Sequence, residues 1–88
     1  MIKPMIHLNG TSKDVLATQY NDAVTVLRGA IQALEDAAPN ARDYYPMGEA
    51  APLQAIREHG ERLKKLRSVL SELTEIRDAC IEQGRSAL

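Results

Sequence analysis

A chain of 88 residues with one cysteine and a formal charge of −1 has room for a single small domain and cannot form an internal disulfide. Its eleven basic and twelve acidic side chains create no broad positive field of the kind that drives non-specific nucleic-acid binding, so any anion site has to be local. Phe and Trp are absent, which leaves Tyr20, Tyr44 and Tyr45 as the only stacking platforms. With no signal-peptide pattern and no bilayer-length apolar run, a reduced cytoplasmic setting is expected.

Residues 1–11 read as an apolar arm, with Ile2, Met5, Ile6 and Leu8 around Pro4 and an Asn9-Gly10 turn signal near its end. The first helix is expected over 12–38. Thr11 and Ser12 can accept hydrogen bonds from its free N–H groups, and Asp14 places negative charge near its positive end. Leu16, Tyr20, Ala23, Leu27, Ala30, Leu34 and Ala37 recur at alternating spacings of four and three residues, which predicts one apolar stripe. Val24 and Ile31 widen it. Pro39 and Asn40 end the helix.

The connection over 39–51 is longer than a helix-to-helix turn needs, and such surplus length is where binding function concentrates. It carries Pro-Asn-Ala-Arg-Asp-Tyr-Tyr-Pro at 39–46. Arg42 offers a planar fork of donors for phosphate or carboxylate, while Tyr44 and Tyr45 can stack on a base and hydrogen-bond through their hydroxyls. Asn40 and Asp43 can read polar edges, so the constellation has what a nucleotide pocket needs. A structural role is also open: a tyrosine can plug the end of a helix pair, and Arg42 can pair with Asp43, Glu35 or Asp36.

Pro52 suits the first turn of a second helix, expected over 52–83. Ile56, Leu63, Leu66, Leu70, Leu73, Cys80 and Ile81 form its apolar face, and Val69 and Ile76 show the stripe drifting round the helix. Cys80 reads as a small core hydrophobe. Gly60 suggests close approach of another backbone, and Gly84 is expected to end the helix, leaving 84–88 as a tail. Glu58 with Arg62, and Glu61 with Lys65, are acid-before-base pairs four residues apart. The basic run Arg57, Arg62, Lys64, Lys65 and Arg67 is interleaved with these acids and reads as a solvated face rather than a DNA-binding one.

The expected architecture is all-α, a long antiparallel helical hairpin. Leu27, Ile31, Leu63, Val69 and Ile76 cannot all face one partner helix, so assembly into a homo-oligomeric helical bundle is expected. In such an assembly the turn at Asn9 and Thr11, with His7 beside it, can approach another subunit's tyrosine loop and share a pocket with it. Free N–H groups at a helix start favour anions there, although capping is the ordinary use of such residues. His7 and His59 are the only histidines, and no serine sits in a nucleophile motif, so no enzyme activity is expected. No Cys-x-x-Cys, His-x-x-x-His or Glu-x-x-His spacing occurs, so neither metal nor cofactor is expected.

The stretch Met-Ile-His-Leu-Asn-Gly-Thr-Ser at 5–12, the tyrosine-containing stretch at 39–46 and the Glu58-His59-x-x-Arg62 helix together resemble small helical proteins of tailed bacteriophages and prophages. In size and helical build the chain is also similar to phage anti-defence proteins that sequester nucleotide signals of bacterial immunity, the anti-CBASS and anti-Thoeris sponges. That resemblance implies a non-enzymatic protein in the host cytoplasm, holding a small phosphorylated nucleotide in an inter-subunit pocket. The alternative is a helical interaction module, an inhibitor or assembly factor that docks on a host or phage protein. No residue role is carried over from these families.

Overall fold

Among residues 1–86, which the computed structural model describes, regular backbone structure is entirely helical. Ser12 starts the first helix: its backbone is extended and its Oγ accepts the Val15 N–H at 3.3 Å, satisfying one of the free donors at the helix end. This helix, α1, spans Lys13–Asp36. Pro39 stops it, because the residue before a proline is held out of the helical region. After two 3-10 turns, Ala41–Asp43 and Tyr45–Met47, helix α2 spans Ala51–Ser86. None of the described helices is long and apolar enough to cross a membrane.

Three contacts fix the direction of the pair. Arg67 of α2 meets Glu35 near the end of α1, Arg77 Nη1 donates to Asn21 Oδ1 at 2.9 Å, and the Lys13 stem lies across Gly84. The helices therefore run side by side in opposite directions. Arg67 also supplies the positive charge that the last turn of α1 lacks. Glu35 is thus matched from α2, and not by the loop residue Arg42. The pair extends 62 Å, with a radius of gyration of 18.9 Å against about 12 Å for a compact chain of this length.

The buried apolar side chains are Val24 and Ile31 from α1 and Leu63 and Cys80 from α2. Tyr20, Leu27 and Leu34 fall half-buried on the same side of α1 as Val24 and Ile31. The stripe that faces α2 is therefore centred on Val24 and Ile31, whereas Ala23, Ala30 and Ala37, expected to belong to it, are exposed. The physical reason is size: burying a β-branched side chain removes several times the apolar area that an alanine methyl does. Ile56 departs from expectation in the same way, at 51% exposed, because α2 turns His59 inward beside it.

Gly84 does not end α2, which continues through it to Ser86. Any side chain at Gly84 would collide with the aliphatic stem of Lys13. The glycine serves close packing of the α1 start against α2, and of the expected tail only positions 87 and 88 lie outside the described residues. Gly60, where close approach was expected, faces open space within this chain. Gly60→Ala is accordingly expected to stabilise the protein by about 0.5–1 kcal/mol, the helix-propensity difference. Urea unfolding reads it; a loss instead would show that another copy's backbone lies against this position.

The arm is held by one side chain from the far end of the sequence. Gln83 Oε1 accepts the Ile6 N–H at 2.8 Å and its Nε2 donates to the Pro4 carbonyl at 2.7 Å, so the amide grips the backbone on both sides of Met5. The arm thus lies on the chain's own α2, and Ile2, Met5 and Leu8 point to solvent.

Candidate functional site

The tyrosine loop is a built structure. Asn40 Oδ1 accepts the Arg42 N–H at 3.1 Å, capping the first 3-10 turn. Backbone bonds then run from Tyr44 to Ala41, from Met47 to Tyr44 and from Gly48 to Tyr45, each at 3.0 Å. Gly48, with φ of +116°, supplies the left-handed step into α2 that other residues avoid.

Below this loop lies a groove of about 560 Å³, bounded by the end of α1, the loop and the first turns of α2. Ala51, Ala55 and His59 succeed one another at spacings of four and form its α2 floor, while Ala37, Pro39, Tyr44 and Met47 close it from the other side. The methyl side chains are what leave the space open. Along one rim Gln54 Nε2 donates to Glu58 Oε2 at 3.2 Å, and Glu58 Oε1 lies 3.8 Å from Arg62 Nη2. Arg62, at 61% side-chain exposure, keeps donor capacity for a further anion.

His59 sets this groove apart. It is only 8% exposed, and its Nε2 is buried without a hydrogen-bond partner. An orphaned polar atom costs on the order of 1–3 kcal/mol, a penalty the fold carries on the wall of this groove. His59→Leu, which fills similar space without the polar atom, is therefore expected to raise stability by about 1 kcal/mol. Thermal unfolding monitored by circular dichroism reads that gain, and a clear loss would mean that Nε2 has a partner in solution.

Of the ligand-binding residues expected from the sequence, Tyr44 alone lines this groove. Arg42, Asp43 and Tyr45 are exposed on the outer side of the loop; Asn40 is engaged in capping. Arg42 forms no ion pair among the described residues. His7, Asn9 and Thr11 are exposed at the opposite end of the molecule, separated from the loop by the length of α1, about 36 Å at 1.5 Å per residue. Ser12, not Thr11, caps α1.

His59, Arg62 and Glu58 were not among the expected site residues. Their signal in the sequence is the run Ala51, Ala55, His59, Leu63 at spacings of four, a histidine in register with an inward face and preceded by two alanines. Chemically the groove offers an apolar floor, one aromatic ring, one unpaired imidazole nitrogen and a guanidinium at its rim. Among the described residues no group of three or more His, Cys, Asp or Glu side chains could hold a metal ion. No protein-family model matches the chain, and no curated protein or solved structure is significantly similar to it.

Proposed function

We propose that this chain is a non-enzymatic binding protein: a helical hairpin that self-associates into a bundle and holds a small phosphorylated ligand of nucleotide class, as phage sequestering proteins do. The observation that carries the assembly is surface area. The chain exposes 6596 Å², whereas a folded monomer of this mass exposes about 5,100 Å². The surplus of roughly 1,500 Å² exceeds the approximately 800 Å² that each partner contributes to a standard interface.

The place for a second copy is the outer side of α1. Ala23, Val26, Ala30 and Ala33 repeat at spacings of three and four, carry no charge, and are all exposed. They form a second stripe beside the one that faces α2, and small side chains allow a helix to approach closely. The partner of stated chemistry is another copy of the same stripe, because closed two-fold pairing buries the same patch on both subunits. Sedimentation velocity over a range of protein concentrations tests the assembly.

The second reading, docking on an unrelated protein, has its own support. Met47, Leu53 and Ile56 are exposed at the loop end of α2, outside the α1 stripe. If Leu53→Asp abolishes capture of a partner while leaving self-association intact, that reading is favoured.

A further inference from the structure

The geometry points to the groove below the tyrosine loop as the ligand seat, with His59 and Arg62 as its polar contacts and a planar heteroaromatic bearing an anionic group as its occupant. The inference rests on the ligand-binding half of the reading above and is independent of self-association.

Size, shape and polarity agree on this class. A volume of about 560 Å³ falls within the range of small-molecule sites, whose lining is mainly apolar with a few placed polar groups. The methyls of Ala37, Ala51 and Ala55 together with Pro39 give a shallow apolar bed, which suits a flat ring and leaves a branched aliphatic chain poorly packed. Tyr44 adds the one aromatic face available for stacking.

The polar groups specify the rest. His59 Nε2 has no partner inside the chain, so a ring nitrogen or exocyclic amine of the ligand would complete its hydrogen bonding, the donor depending on the imidazole tautomer. That nitrogen is covered in the unliganded groove. A ligand therefore reaches it only when a lining side chain shifts, and Met47, 70% exposed with three rotatable side-chain bonds, is the most adaptable of them. Arg62 stands one helical turn further along α2, where its guanidinium can leave the long 3.8 Å contact with Glu58 for a phosphate or carboxylate held bidentately. On the rim the Gln54 amide can donate to or accept from the ligand's remaining polar edge, and the Glu58 carboxylate can accept from it. The exposed loop residues Arg42 and Tyr45 take no part in this seat.

The test titrates the four common ribonucleoside 5′-monophosphates into the isotope-labelled full chain and follows amide and imidazole resonances, with the oligomeric state recorded on the same sample. At least one nucleotide is expected to give saturable shifts at Tyr44, Ala55, His59 and Arg62. Its nucleoside, lacking phosphate, is expected to bind about tenfold more weakly or worse, as loss of a charge-assisted contact implies. Arg62→Ala should weaken the nucleotide by the same factor and leave the nucleoside unchanged. His59→Leu should weaken both while keeping the helical spectrum and the gain in thermal stability expected above, which separates a lost contact from a lost fold. Absence of saturable shifts with all four nucleotides, shifts confined to residues 7–12 or 40–45, or unchanged binding by Arg62→Ala would each overturn the assignment. Groove saturation in a monomeric sample would fail the self-association reading alone; a silent groove in an assembled sample would fail this one alone.

Discussion

Val26→Glu combined with Ala30→Glu is expected to dissociate the proposed assembly, weakening self-association by at least a hundredfold. Both positions are exposed on the outer stripe of α1, and within a single chain such surface changes are worth less than about 0.5 kcal/mol each. Facing the same stripe of a second copy, the carboxylates would be buried without partners and brought beside their symmetry mates. Burial of even one unpaired charge costs several kcal/mol, on the order of a hundredfold or more in affinity. Size-exclusion chromatography with light scattering reads the result. A variant that keeps the parent's mass would remove the outer stripe of α1 from the interface.

The second large effect concerns the inner seam. Leu63→Ala is expected to destabilise the protein by about 2–4 kcal/mol, the range for emptying a buried leucine site. The magnitude matters here because so few side chains are buried among the described residues: Val24, Ile31, Leu63 and Cys80 are the apolar ones. A domain of this size has a net stability of roughly 4–13 kcal/mol, so the loss is a large share of the whole. Leu53→Ala, at a position 65% exposed on α2, serves as the contrast and should change stability by less than about 0.5 kcal/mol. Chemical unfolding of both variants separates the cases. Equal losses would mean that Leu53 is covered in solution.

The parts of the fold that depend on local chemistry could be read from the sequence. The Ser12 cap, the four-and-three spacing of apolar residues and the Pro39 stop bring the expected helix over 12–38 within two residues of α1 at each end. Pro52 likewise lies in the first turn of α2. The features that escaped depend on residues distant in the sequence. Gly84 looks like a terminator until Lys13 is seen lying across it, and nothing local to the arm indicates that Gln83 will grip Pro4 and Ile6.

The site shows the same division. Residues 40–45 are adjacent in sequence, but successive residues of a tight 3-10 turn point in different directions, so the loop delivers Tyr44 inward and leaves Arg42 and Tyr45 outside. The groove instead draws on α2 positions four residues apart, where Ala51 and Ala55 contribute by being small. Small residues leave no mark in a search for chemistry-bearing side chains. Which of two apolar stripes on α1 would face α2 was equally hard to read, since Ala23, Ala30 and Ala37 satisfy the same periodicity as Val24 and Ile31. Packing area separates them, and periodicity does not.

Native mass spectrometry of the full chain purified gently from cells tests the central claim most directly, because one spectrum reports subunit number and any small molecule that travels with the complex. The account predicts an oligomer at micromolar concentration carrying a nucleotide-sized mass, with Arg62→Ala retaining the oligomer and losing that mass. A bare monomer at the same concentration would contradict it.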